Sequence, residues 1–209
     1  MAVIVPVKPP PVAKSRLRAA FGEQVSALAH SMAADVLGAA TAASAVSHVY
    51  VVSSDDGTLA QLQRPGVSSV REPSGAGLNG ALAAGVVAVR EADPDAAIIA
   101  MPADCPAVAP ADFDRLAREL AHRATPLFVP DAAGTGTCAL CLPPGSQFQP
   151  AYGPGSAARH RAAGAEALRG ECWARVQRDV DVPSDLEGAR RLGVGPATQR
   201  WLRRGLTRE

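Results

Sequence analysis

The sequence lacks an excess of charge of either sign, and it lacks any long apolar run. Its 209 residues carry 21 Lys and Arg against 20 Asp and Glu. Proteins that bind nucleic acid usually have a clear basic excess, and a membrane-spanning helix needs about 20 apolar residues in succession. The amino-terminal MAVIVPVK also lacks the pattern of a signal peptide. We therefore expect a cytoplasmic protein that binds neither nucleic acid nor membranes.

Cysteine is scarce, with only four residues in the chain. Four are too few for a disulfide framework in a chain of this length. Cys138 and Cys141 form one CxxC motif, but a zinc site would need a second pair of ligands at similar spacing, and none is present. We therefore interpret the cysteines as small buried residues in a reducing compartment.

Two common catalytic signatures are missing as well. The sequence contains no GxxxxGK[ST] loop, and neither His30 nor His48 is accompanied by a serine or cysteine nucleophile motif. A reaction that needs no protein nucleophile fits this absence. A phosphate monoester is largely ionised at neutral pH, so it can attack the α-phosphorus of a nucleotide without a general base. The protein then has to supply a metal ion, cationic loops and alignment.

Apolar runs alternate with helical patterns along the chain. The predicted strands are 2–7, 48–54, 67–70, 96–101, 126–129, 137–142 and 173–176. The predicted helices are 22–43, 55–63, 78–92, 110–123, 156–168, 183–192 and 198–204. This alternation is typical of an α/β fold with a mostly parallel sheet covered on both faces. The length favours a single domain over residues 1–209.

The stretch AAIIAMPADCP, residues 96–106, is the centre of the functional prediction. Its apolar run is typical of a strand that is buried on both faces in the middle of a parallel sheet. Asp104 follows that run, at the edge of the sheet where open α/β folds bind ligands. We predict that Asp104 holds a divalent metal ion against a nucleotide. A turn or N-cap aspartate is the alternative.

A second acidic motif lies in RDVDVPSDL, where Asp179 and Asp181 alternate at the predicted end of a strand. Two carboxylates in this spacing, together with Asp104, can give oxygen ligands to Mg²⁺ and leave positions open for phosphate and water. A DxD motif alone is weak evidence, and the other predicted anion contacts strengthen it.

Two further stretches predict contacts with anions. The loop KPPPVAKSRL places Lys8, Lys14 and Arg16 on a proline-stiffened segment, which needs little further ordering to bind phosphate. A solvated basic loop is the alternative. In YGPGSAARH, Ser156 begins a predicted helix after the turn that contains Gly153. The free N–H groups of a helix start favour an anion, with Arg159 and His160 as further contributors, and plain capping is the alternative.

Two glycine-rich stretches permit close approach of a ligand. REPSGAGLNGAL matches GxGxxG, but it does not turn directly off a strand as a dinucleotide fingerprint does. We interpret it as a loop whose backbone at Gly77 approaches a nucleotide, with the Asn79 amide near the base or ribose. In DAAGTGTCAL, Thr135 and Thr137 supply hydroxyls between glycines. A glycine-rich hairpin turn is the alternative for that stretch.

In this order, VPVKPPPVAKSRL, GAGLNGAL, MPADCP, GTGT, YGPGSAARH and DVDVPSDL resemble the 2-phospho-L-lactate or phosphoenolpyruvate guanylyltransferases of coenzyme F-420 biosynthesis. The resemblance covers almost the whole chain. It implies a three-layer, Rossmann-like nucleotidyltransferase fold of the GT-A kind, with a mixed sheet of about seven strands. It also implies a reaction in which GTP and a three-carbon phospho-acid give a guanosine diphosphate ester and pyrophosphate, with Mg²⁺ as cofactor.

The resemblance also implies roles for single residues. The metal ligands would be Asp104, Asp179 and Asp181, with Asp104 and Lys14 as the catalytic pair. The phospho-acid contacts would be Thr137, Gly153 and Ser156, with Thr135 as an alternative to Thr137. The contacts with GTP would be Lys8, Lys14 and Arg16 at the phosphates, Gly77 at the backbone and Asn79 at the guanosine.

One departure from the family pattern is Cys105, because a leucine commonly follows the aspartate of MPADCP. The residues do not distinguish guanine from adenine, and only an Ala-, Arg- and Gly-rich composition favours phosphoenolpyruvate over phospholactate. Two other functions stay open. One is nucleotidyl transfer to a sugar phosphate or a molybdopterin, and the other is a non-catalytic nucleotide-binding subunit. A downstream transferase is the expected protein partner, and a dimer is one option for the oligomeric state.

Overall fold

The apolar runs of the sequence form the strands of one mixed sheet. The computed structural model describes residues 1–9, 15–73 and 75–205, and within these ranges the sheet has seven strands. They are β1 (Ala2–Pro6), β2 (His48–Ser53), β3 (Val67–Arg71), β4 (Ile98–Ala100), β5 (Leu127–Pro130), β6 (Thr137–Leu142) and β7 (Glu166–Ala167).

The sheet is parallel except around β6. Strand β1 pairs in parallel with β2 and β4, β2 with β3, and β5 with β7, whereas β6 runs antiparallel to both β4 and β5. The order is β3-β2-β1-β4-β6-β5-β7, so β4 is the central strand. The predicted mostly parallel α/β sheet of about seven strands is therefore confirmed. The single domain over residues 1–209 stays a prediction.

Two apolar layers enclose the sheet because neighbouring residues of each strand point to opposite faces. The helices are α1 (Ser15–Phe21), α2 (Gln24–Ala42), α3 (Asp56–Leu62), α4 (Gly77–Ala92), α5 (Pro110–Ala121), α6 (Ser156–Ala162), α7 (Pro183–Leu192) and α8 (Pro196–Gly205). Val3 and Val5 of β1 pack with residues of α2, α3 and α5, and Ile4 packs with residues of α4. This arrangement gives the three layers that the resemblance implied.

The last third of the chain departs from the prediction. The strand predicted at 173–176 is wrong, since Glu171–Trp173 is a short 3₁₀ helix and the seventh strand is β7. Helix α6 ends at Ala162 rather than 168, because Gly164 adopts φ +95°, a left-handed backbone that stops a helix. Trp173 is buried in the core without being part of the sheet. Its apolar neighbourhood therefore reflects packing and not pairing.

Among the helices that the structure describes, none combines the length and apolarity that a membrane crossing requires.

Two helix glycines differ in the space around them, so their substitution by alanine should have opposite effects on stability. A Cβ on Gly85 would lie 2.5 Å from Ile4 Cγ2, inside the core, whereas a Cβ on Gly38 of α2 would meet only Arg64 Nη1 at 3.8 Å. Gly85→Ala should lower the free energy of unfolding by about 1–2 kcal/mol through overpacking. Gly38→Ala should raise it by about 0.5–1 kcal/mol through helix propensity.

Urea denaturation of the two variants checks this pair. Equal shifts in the same direction would contradict the packing of α4 on β1.

Candidate active site

A cavity of about 610 Å³ opens at the edge of the sheet where β1 and β4 end. Its volume lies within the usual range for small-molecule sites. Antiparallel β6 begins at the edge where its neighbour β4 ends, so the first residues of β6 join this wall. The predicted site residues in the wall are Lys8, Arg16, Asp104, Thr135, Thr137, Gly153, Ser156, Asp179 and Asp181. Lys14 lies outside the described residues.

Asp104 and the DxD segment are joined through the backbone. Asp104 lies in the turn after β4, and its carbonyl oxygen accepts a hydrogen bond from the Val180 N–H at 2.9 Å. The Val180 side chain is fully buried, whereas Asp179 and Asp181 on either side of it line the cavity. The Asp185 carboxylate fixes this segment by accepting the N–H groups of residues 181 and 182. The DxD motif therefore lies on a loop before α7 and not at the end of a strand.

The negative charge of Asp104 raises the pKa of two buried thiols near it, those of Cys105 and Cys138. A hydrogen bond with Cys138 and then burial raise the pKa of the Cys105 thiol, and the negative charges of Asp104 and Asp179 raise it further. The described cysteines are all free, and Cys105, Cys138 and Cys141 are buried. They are protonated packing residues, and two of them lie within the field of the carboxylates of the site.

Asp131 shapes the GTGT turn, and sequence reasoning missed it. Its carboxylate accepts the N–H groups of Thr135 and Gly136, both at 2.8 Å. A Cβ on Gly136 would lie 2.4 Å from Asp131 Oδ2, so this close approach needs glycine. The stretch is therefore a hairpin turn between β5 and β6 that also forms part of the cavity wall, and the approach of a ligand to it stays a prediction. The available signal was the aspartate that opens DAAGTGT.

The Ser156 hydroxyl turns toward β6 and does not cap its helix. Gly155, at φ +73°, is the N-cap of α6, and the helix start has no side-chain cap. Ser156 Oγ instead lies 3.1 Å from Thr137 Oγ1, in a hydrogen bond between two buried hydroxyls. The capping interpretation of Ser156 is therefore wrong. Helix α6 has only seven residues, so its start alone is a weak basis for an anion site.

Asn79 fastens α4 to the loop that carries Gly153. Its Nδ2 donates to the Tyr152 carbonyl at 3.1 Å, and the Tyr152 N–H donates to Asn79 Oδ1 at 2.8 Å. Neither Asn79 nor Gly77 lines the cavity, although Leu78 between them does. Their contacts with guanosine stay predictions.

His160 was predicted only as a further contributor to the anion site at the start of α6, and its buried role was missed. It is fully buried, its Nδ1 lies 2.9 Å from Thr137 Oγ1, and its Nε2 accepts the Ala151 N–H at 2.9 Å. Burial, and then the charge of Arg159, lower the pKa of His160 to about 4, so the ring is neutral at pH 7. Its position four residues after Ser156 on a helix, hence on the same face, was the available signal.

Comparisons with known proteins show the family to which the chain belongs. A family model for a MobA-like NTP transferase domain matches residues 25–178. The phosphoenolpyruvate guanylyltransferase of Thermomonospora curvata is 44% identical, over 94% of this chain and 86% of the relative. The chain belongs to the phosphoenolpyruvate guanylyltransferase family. The resemblance inferred from the motifs is confirmed, and the chain is a nucleotidyltransferase.

Solved structures share the fold of this guanylyltransferase family member. A Desulfovibrio desulfuricans G20 protein described as a nucleotide-diphospho-sugar transferase has a TM-score of 0.71 at 16% identity, covering 98% of this chain and 94% of its own. A nucleotidyl transferase from Methanothermobacter thermautotrophicus has a TM-score of 0.61 at 20% identity, covering 97% and 98%. At such low identity these likenesses show the fold alone.

The described residues of the cavity wall do not form a complete metal cage of protein ligands. Among the described residues, no group of three His, Cys, Asp or Glu side chains is arranged to hold a metal ion by itself. Mg²⁺ usually takes one or two carboxylates, and substrate phosphates and waters complete its shell. The ligand set of Asp104, Asp179 and Asp181 therefore stays a prediction.

The neutral His160 predicts a loss of stability in acid. Its pKa is about 4 in the folded protein, against an ordinary value of 6.5, so between these values the unfolded chain binds a proton that the folded chain does not. The contribution of His160 to the free energy of unfolding is fully present above its ordinary pKa of 6.5, and it is lost as the pH drops toward the folded pKa of about 4. Between pH 7 and 4.5, the free energy of unfolding should therefore fall by about 2 kcal/mol.

Urea denaturation at several pH values measures the effect. His160→Phe should lose less stability than the parent chain on acidification, and the exposed His122→Gln should follow the parent. Parallel pH curves for the parent and His160→Phe would contradict a neutral buried ring.

Proposed function

We propose that this chain joins GTP to phosphoenolpyruvate through a new phosphoanhydride bond and releases pyrophosphate. The observation that carries the proposal is the shared wall of one cavity, where carboxylates, basic groups and hydroxyls of the family motifs meet. The name of the Thermomonospora curvata relative supports phosphoenolpyruvate as the acceptor. The same chemistry would serve 2-phospho-L-lactate, the other three-carbon acid that the motifs allow.

The reaction needs alignment more than acid–base catalysis. An oxygen of the acceptor phosphate, already ionised, attacks the α-phosphorus of GTP. That P–O bond forms as the bond from the α-phosphorus to the bridging oxygen of the β-phosphate breaks, and the electron pair leaves on pyrophosphate. The protein accelerates this step by orienting two anions and offsetting their repulsion.

Strand order supports a division of the cavity between the two substrates. Strand β4 lies between β1 and β6. Lys8 follows β1, Asp104 follows β4, and Thr137 begins β6. We assign the GTP phosphates to the side of Lys8 and Arg16, and the phospho-acid to the side of Thr137, Ser156 and Gly153. Asp104 then lies between the two phosphates that react.

Charge in the wall supports Mg²⁺ as cofactor. The described lining carries Asp104, Asp131, Asp179 and Asp181, against the basic side chains of Lys8 and Arg16. Two polyanionic substrates would be repelled by such a wall unless a cation accompanied them. Carboxylate oxygens are the donors that Mg²⁺ prefers, and Asp104 with Asp179 or Asp181 would hold it. Bound there, Mg²⁺ would neutralise charge that develops on the phosphates.

A pyrophosphate-release assay tests the proposal. The protein with GTP, Mg²⁺ and phosphoenolpyruvate or 2-phospho-L-lactate should release pyrophosphate. EDTA should abolish this release because it removes Mg²⁺. ATP in place of GTP, and a sugar 1-phosphate in place of the acid, serve as comparisons.

Each outcome of that assay is decisive for one function. No release with either acid would contradict the guanylyltransferase proposal. Release with a sugar 1-phosphate would favour another acceptor. No release with any acceptor, together with Mg²⁺-dependent GTP binding measured separately, would favour a non-catalytic subunit.

Asp104→Asn should lower kcat by about 100-fold or more, because it removes a carboxylate charge between the reacting phosphates. The fold should persist, since the bond from the Val180 N–H goes to the backbone carbonyl of residue 104. Asp95→Asn is the matched control, because Asp95 is exposed and precedes the opposite end of β4. Near-normal activity of Asp104→Asn would remove Asp104 from the reaction centre.

A further inference from the structure

We propose that His160 is a positioning residue that makes the Thr137–Ser156 hydroxyl pair a donor of a hydrogen bond to the phospho-acid. The inference rests on the proposed function, because it takes these two hydroxyls as contacts of that substrate. It adds a residue that touches no substrate and acts only through Thr137.

The backbone of Ala151 decides which nitrogen of His160 carries the proton. A backbone N–H can only donate, and the Ala151 N–H lies 2.9 Å from Nε2. Nε2 must therefore present its lone pair. In a neutral ring the single proton is then on Nδ1, which faces Thr137 Oγ1 at 2.9 Å.

With the proton on Nδ1, one of the two hydroxyl protons of Thr137 and Ser156 has no acceptor within the group formed by these two residues and His160. Thr137 and Ser156 have two hydroxyl protons, and one of them makes the bond between the two oxygens, 3.1 Å apart. Because Nδ1 donates, it cannot accept the other. No further acceptor for that proton is present among the described residues, while both side chains line the cavity. The proton is left for an acceptor oxygen, such as one of a carboxylate or phosphate.

The opposite tautomer would remove this donor. With the proton on Nε2, Nδ1 would accept the remaining hydroxyl proton, and the pair would offer only lone pairs to the cavity. Lone pairs facing an anionic substrate are repulsive. Through the ring of His160, the Ala151 N–H therefore determines whether the Thr137–Ser156 pair donates a hydrogen bond to the substrate or presents only lone pairs to it.

The surroundings keep the ring in place and dry. Phe128, Phe148 and Tyr152 pack around it, with ring centroids 5.4–5.8 Å from that of His160. The Tyr152 hydroxyl donates to the Ala100 carbonyl of β4 at 2.9 Å. The Arg159 guanidinium donates to the carbonyl groups of Ala151 and Tyr152. The loop that carries Ala151 is thereby fastened to β4 and to α6 itself.

Two amide variants separate the donor from mere packing. The amide of Asn can place N–H near the position of Nδ1, whereas the amide of Gln reaches the position of Nε2. His160→Asn should keep kcat/KM for the phospho-acid within a few-fold of the parent. His160→Gln should lower it about tenfold or more, because a hydrogen bond to a charged group is lost. At saturating phospho-acid, the KM for GTP should not change in either variant.

Three kinetic results would overturn the inference. They are equal losses in the two variants, a matching rise in the KM for GTP, or an undiminished effect of His160→Gln in a Thr137→Val background. If His160 acts through Thr137, its substitution should add little once the Thr137 hydroxyl is gone.

Nitrogen-15 NMR of the substrate-free protein tests the same inference without turnover. The imidazole signals of His160, assigned by their loss in His160→Asn, should show the Nδ1–H tautomer at pH 7. The Nε2–H tautomer or a doubly protonated ring would overturn the inference. A parent chain that shows the Nδ1–H tautomer but releases no pyrophosphate would contradict the proposed function alone.

Discussion

The antiparallel pairing of β6 with the central strand β4 is the constraint on which the site depends. Ile98 pairs with Leu142 and Ala100 with Leu140, so β6 begins at the edge where β4 ends. A parallel strand in this place would put Thr137 at the opposite edge of the sheet. With the observed direction, one edge collects the basic residue after β1, the acid after β4 and the hydroxyl that opens β6. The fold thus brings together three chemically different groups from neighbouring strands.

The sheet and the edge at which the cavity opens could be predicted because the signals are local. The run before Asp104 is apolar throughout, and a topological rule then gives the edge at which that aspartate lies. The strand predicted at 173–176 failed because buried apolar residues around Trp173 look alike whether they pair or only pack. Helix α6 was predicted too long because its stop depends on the backbone conformation of Gly164.

The roles of single polar residues were less accessible to sequence reasoning. Asp35, Asp112, Asp131 and Asp185 accept backbone N–H groups at helix starts or turns, whereas Asp104, Asp179 and Asp181 line the cavity. Asp112 and Asp185 lie in the first turn of a helix, and Asp35 lies within α2. Asp131 directly follows a strand, and Asp104 lies in the turn after one, so the sequence around these two does not show which of them lines the cavity for catalysis and which only fixes a turn. The hydrogen bonds of His160 could not be predicted, because its two partners are 9 and 23 residues away in the chain.

We propose that the acceptor phosphate attacks the α-phosphorus of GTP directly, without a covalent intermediate on the protein. The most direct measurement is the stereochemical course at that phosphorus, followed with one diastereomer of guanosine 5′-O-(1-thiotriphosphate). A single in-line displacement predicts inversion of configuration in the product. Retention would require two successive displacements through a guanylylated protein, and would contradict the account.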